Sequence, residues 1–180
     1  MNEGRATMQL KLDEKIICRA IAGINAQRTT DFAYTYSFEH RMYPRIEINR
    51  PAGSLARSQV CNAALRVFGE KAVTDEILTT WSNRFLAREG FLSNGRKRPI
   101  PHEAQFRIAG YFYYYGIYYF TESVRLLPKE QHASYAQRLA AILLERQEKD
   151  RARGGIIHST IIISHTARAT HSWLWLGAKR

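Results

Sequence analysis

The stretch YFYYYGIYYF, residues 111–120, holds six of the ten tyrosines in the chain. A tyrosine ring is an apolar body with a hydroxyl that needs a partner or water when buried. Rings grouped on one helix face therefore either fill a core or line a ligand cavity. At about 100° per residue, Tyr111, Tyr115, Tyr118 and Tyr119 share a face that Phe112 continues, whereas Tyr113 and Phe120 point away. Just upstream, His102 and Glu103 follow Pro101. They suit either an acid–base pair at a cavity mouth or a helix start, where an acidic side chain complements the dipole. Arg57 and Arg107 have two readings: cations for an anion such as diphosphate, or partners in surface ion pairs. Asn49, Arg50, Gln59 and Asn62 lie at helix starts or in loops, where sites of helical arrays tend to sit. Cys18 and Cys61 form no CxxC and no metal spacing, so the sequence predicts two buried free thiols and no metal site.

Five helices must position these groups. Ile16, Ile17, Ala20, Ile21 and Ile24 recur at helical spacing within residues 10–28. A second helix begins after Pro51-Ala52-Gly53, with Ser54 as N-cap, and runs to about Phe68. A third starts at Thr74 and ends near Glu89-Gly90. Its capping box is absent, because Ile77 stands where Glu or Gln would, but Asp75 and Glu76 suit the dipole. The fourth spans 102–126 and ends before Pro128; the fifth runs from about 130 to 149. The tyrosine helix is apolar all round, which predicts burial on all sides. Gly110 and Gly116 would let neighbouring helices approach it closely. Between the first two helices, FAYTYSFEHRMYPRIEI alternates at its start and reads as a short hairpin or an extended loop.

The chain has 180 residues, enough for one domain with a real core. No apolar run reaches the roughly 18–20 residues a membrane span needs, and the N-terminus has no apolar signal region. The expectation is a cytoplasmic protein. The net charge of +11 invites a nucleic-acid reading. Its distribution argues against one: residues 1–150 carry +6, whereas the last 30 carry +5 and no acid. The densest basic run, Arg96-Lys97-Arg98, is a short turn-like segment that reads as a solvated loop.

One repeat is visible. AQRTTDF at 26–32, LAREGF at 86–91 and LERQEKD at 144–150 place an acid at a helix end, at Asp31, Glu89 and Asp150. The intervals are 58 and 61 residues, each holding two helices. A period of that length reads as an α-helical array, open or closed; two amphipathic helices also resemble each other by chance.

INRPAGSLARSQVCNAALRVFG, GFLSNGRKRPIPHEAQFRIAGYFYYYGIYYF and YAQRLAAILLERQEKD together resemble the squalene-cyclase and prenyltransferase-type α/α-toroid superfamily, over about residues 10–150. The superfamily repeat is a Gln, a short polar gap and Gly-x-Trp. Gln147-Glu148-Lys149-Asp150 matches its first half, and Arg151-Ala152-Arg153 departs from its second. The resemblance implies an all-α, partial toroid of helical hairpins in residues 1–150. It also implies cyclase or prenyl-transfer chemistry, for which this chain has neither a D-x-D-D motif nor the Asp, Cys and His zinc set. It suggests Tyr115, Tyr118 and Tyr119 as rings that would stabilise a carbocation by cation–π attraction.

Residues 151–180 break the pattern, with no acid and a β-branched run at Thr160-Ile161-Ile162-Ile163. Read from Ala152 in a shifted frame, the codons allow QEKDGSWWDYP after Gln147, which restores the missing Gly-x-Trp. The tail is then an out-of-frame, basic, non-helical extension, and its His158, His165 and His171 carry no selected role; the alternative is a genuine divergent tail. The leading functional expectation is a toroid fragment, inactive alone, whose aromatic groove takes an apolar or isoprenoid molecule without a cofactor. Its open edge also suggests oligomerisation. The alternatives are a non-catalytic helical interaction module and, below it, a basic nucleic-acid binder.

Overall fold

The computed structural model describes residues 13–95, 107 and 110–146. These residues form five α-helices: α1 (Glu14–Asn25), α2 (Leu55–Val67), α3 (Asp75–Gly95), α4 (Tyr111–Arg125) and α5 (Lys129–Glu145). No strand occurs among them, and the all-α expectation holds. Where the sequence predicts a short hairpin or an extended loop, the α1–α2 connection has two short 3-10 turns, Glu39–Met42 and Glu47–Asn49. One isolated bridge, Arg28 to Tyr34, is its β-like element. The tail from Arg151 and its alternative frame lie outside the described residues, as do His102, Glu103 and the basic run at 96–98.

Local chemistry sets the helix ends. Asp13 caps α1, its carboxylate accepting from the Lys15 amide at 2.9 Å. At the end of α2 the Glu70 amide donates to the Leu65 carbonyl and the Gly69 amide to the Arg66 carbonyl. Gly69 has φ of +85°, so this is a Schellman stop that a residue with a Cβ would strain. Thr74 caps α3, with its hydroxyl accepting from the Ile77 amide at 3.4 Å. Ser54 makes no such capping bond. The third helix continues five residues beyond Gly90 because Leu92, fully buried, still has core to pack on.

The core lies where α2, α3 and α4 meet. Leu55, Leu65, Leu78, Trp81, Phe85, Leu92, Ile117 and Phe120 are almost wholly buried. Phe85 stacks on Phe120 with ring centroids 5.1 Å apart. A Cβ on Gly116 would stand 2.9 Å from the Phe85 ring and 3.2 Å from both Ala56 and Leu92. Only a glycine lets α4 come this close to both neighbours. The α1 helix contributes less than its periodicity implies. Ile21 and Ile24 pack on the core, but Ile16 is exposed and no residue of α1 is fully buried. Cys18 is exposed and Cys61 partly buried, so the expectation of two buried thiols fails at Cys18, on the outward face of that helix.

Side-chain bonds give the helix directions. Thr79 meets Gln131, Asn83 meets Tyr135 and Arg138, and Glu89 meets Arg146, so α5 runs parallel to α3. Ala56 lies against Gly116, and the Gln59 carbonyl accepts from the Ser123 hydroxyl, so α4 runs parallel to α2. Consecutive helices α2 and α3 are antiparallel, with Gln59 donating to the Trp81 carbonyl and Arg66 to the Val73 carbonyl. The acids of the sequence repeat have matching duties. Asp31 accepts from Arg84 of α3 at 2.9 Å, and Glu89 accepts from Arg146, just past α5, at 2.7 Å. Burial works to raise the Asp31 pKa, but bonds from Thr29, the Ala33 amide and Arg84 outweigh it and hold the carboxyl below its ordinary value. Asp150 lies outside the described residues.

Two substitutions test this packing. Gly116→Ala gains helix propensity but forces the Phe85 ring from its stack, and a net loss of about 1–2 kcal/mol is expected in denaturant unfolding. Glu89→Gln removes a buried carboxylate from Arg146. Arg146 is a third exposed and stays hydrated, so a loss of about 1–2 kcal/mol is expected, read by thermal unfolding, with no change in helix content below the transition.

Candidate functional site

The tyrosine helix divides its rings as the angular reading expects. Tyr113 and Phe120 are buried in the core with Ile117. On the opposite face the rings form a ladder: Phe112 to Tyr115 at 6.2 Å, Tyr115 to Tyr119 at 4.8 Å, and Tyr119 to Tyr118 at 4.9 Å. Adjacent rings meet edge to face, the arrangement the aromatic quadrupole favours. Burial on all sides does not follow, however, since Tyr115 and Tyr118 remain 38% and 37% exposed. The reason is that α4 packs its glycine side on α2 and α3, and the described elements cover its ladder side only in part. Tyr111 belongs to α4, and its side chain lies outside the described residues.

The α1–α2 connection forms the other side of the site. Asn49, nearly buried, organises it: its Oδ1 accepts from the Tyr36 amide, and its Nδ2 donates to the carbonyls of His40 and Tyr43. The Ile48 backbone sits so close to Gly53 that a Cβ there would collide with the Glu47 carbonyl. Asn62 of α2 holds the start of the segment, accepting from the Tyr34 hydroxyl and donating to the Phe32 carbonyl. Trp81 donates to the neighbouring Asp31 carbonyl at 2.9 Å. These bonds fix Phe32 in a left-handed conformation, φ of 60°, that a residue with a Cβ seldom adopts. So held, the segment turns Tyr36, Phe38, Met42 and Tyr43 outward, all substantially exposed.

Arg57 joins the two sides. Its Nε donates to the Tyr34 carbonyl and its Nη2 to the Ile48 carbonyl, each at 2.8 Å. The guanidinium lies over the Tyr36 ring, 5.5 Å from its centroid. Burial pulls the Arg57 pKa down to about 10, with Cys61, Tyr36 and Tyr115 acting in the other direction. It is still a cation at neutral pH. The sequence allows it either an anion or a surface ion pair; the structure places it against two backbone carbonyls, with no carboxylate partner among the described residues. Arg107 is exposed with φ of 53°.

Cys61 sits one helical turn from Arg57 on α2. Burial pushes its thiol up to about 11, against the opposing pull of Arg57. It is therefore protonated at neutral pH and is no nucleophile. Burial also raises the Tyr115 hydroxyl to about 12. The arrangement offers apolar ring faces, neutral hydroxyls and one cation, which equips it for binding. Among the described residues no group of three or more His, Cys, Asp or Glu side chains is placed to hold a metal ion. No described helix is long and apolar enough to cross a membrane.

Sequence reasoning finds the ladder but misses Tyr36 and Cys61. Both lie beside Arg57, and the position of Tyr36 follows from the fold of a connection whose irregular turns leave no period. The two thiols provide a direct check. A disulfide reagent should modify Cys18 at the rate of a free thiol and Cys61 at least about tenfold more slowly until the chain unfolds. No family model matches this chain, and neither a curated protein nor a solved structure does.

Proposed function

We propose that this chain is part of an α/α-array protein of prenyltransferase or terpene-cyclase type, and that it binds an apolar, isoprenoid-like molecule on its aromatic face without transforming it. The observation that carries the binding is the half-exposed ladder of Tyr115, Tyr118 and Tyr119, ordered edge to face and backed by a core that fixes the helix. Exposed rings locked in a rigid array lose little entropy when a ligand covers them.

The array reading draws support from the helix directions. Alternate helices run parallel, α2 with α4 and α3 with α5, while α2 and α3 are antiparallel, as stacked hairpins require. The acid–arginine links at Asp31 and Glu89 recur with the interval of the sequence repeat. The binding-only reading draws support from the protonated Cys61 thiol and from a sequence without a D-x-D-D run.

Farnesol, a neutral isoprenoid alcohol, tests the reading. Saturable binding by calorimetry is expected, with Tyr118→Ala weakening it about fivefold, the equivalent of one lost aromatic contact. Absence of saturable binding, or a Tyr118→Ala variant that binds as tightly as the parent, would overturn it.

A further inference from the structure

A charge taken out of water is normally paired with its opposite. Arg57 is a mostly buried guanidinium that departs from this. Nε and Nη2 donate to the Tyr34 and Ile48 carbonyls, which are neutral acceptors. The third nitrogen, Nη1, makes no hydrogen bond to a described residue and is not among the buried unpartnered atoms, so it stays accessible to a ligand. The guanidinium lies over the Tyr36 ring, the Cys61 and Tyr115 side chains are near enough to act on it, and the thiol is protonated. The cation is thus positioned by two carbonyls and flanked by the Tyr36 ring, and no carboxylate among the described residues pairs with it.

We infer that Arg57 is the anion-recognising end of the aromatic site, and that its ligand is an apolar molecule carrying a single carboxylate. The two carbonyl bonds fix the guanidinium plane, so Nη1 needs no reorganisation to donate. A single carboxylate suits one free nitrogen of one cation. The apolar body lies along Tyr115, Tyr119 and Tyr118. This inference rests on the aromatic face being a ligand site and adds the chemistry of the ligand's head.

Farnesoate and farnesol share a body and differ in the head, so calorimetry with both on the full chain separates the two claims. Farnesoate is expected to bind about tenfold to a hundredfold more tightly, the range of one charge-assisted hydrogen bond. Tyr115→Ala should weaken both ligands by a similar factor and leave their ratio unchanged. Arg57→Gln, where helix content shows that it folds, should bring the ratio to about one. If that variant does not fold, the ligand ratio on the parent chain and the Tyr115→Ala result still decide. Equal affinities for the two ligands overturn the carboxylate assignment and leave the aromatic site standing. Binding of neither overturns both. Preferential farnesoate binding that Tyr115→Ala does not weaken places the carboxylate elsewhere and overturns the assignment to Arg57.

Discussion

The approach of α4 to its neighbours at Gly116 governs the rest of the molecule. With no Cβ between them, the Phe85 ring, Ala56 and Leu92 lie directly against the α4 backbone. That contact sets which side of α4 faces inward, and a helix of fixed pitch has no further freedom: Tyr113, Ile117 and Phe120 are buried and Tyr115 and Tyr118 turn out. Interiors pack at crystal-like density, so a shift of even one methyl group at this point would move the Phe85–Phe120 stack and the ladder with it.

Polar side chains then set the register between helices that apolar packing alone would leave loose. Gln59 is wholly buried at the junction, its side-chain amide donating to the Trp81 carbonyl while its main-chain carbonyl accepts from the Ser123 hydroxyl. It ties α2 to α3 and to α4 at one residue. Farther out, Asn83 and Glu89 hold α5 along α3. Directional bonds of this kind add little net stability each but are costly to leave unmade, which makes alternative registers unfavourable.

The polar residues that stand out in the sequence prove to be builders of the site rather than its chemistry. Asn49 and Asn62 spend their amides on the backbone of the α1–α2 connection. Arg57 does the same with two nitrogens and keeps its charge and a further donor nitrogen. The site therefore combines a rigid aromatic wall, set by helix packing, with a cation set by an irregular loop. Neither half specifies a reaction by itself.

The sequence alone determined the elements whose signals are local. The stop of α2 near Phe68, the start of α3 at Thr74 and the break before Pro128 depend on φ preferences and capping within a few residues. The split of rings around α4 was legible for the same reason, since helical pitch is a local property. Tertiary structure decided what lies beyond that range. Ile16 carries the right period yet is exposed, because burial requires a neighbour and a period by itself supplies none. Tyr34 and Tyr36 stand two apart in an apparent alternation, yet one is buried and the other exposed, because the connection turns instead of pairing as a strand. The role of Arg57 was illegible in the same way. Its acceptors, Tyr34 and Ile48, are 23 and nine residues away. A backbone carbonyl carries no mark in the sequence of which side chain will find it.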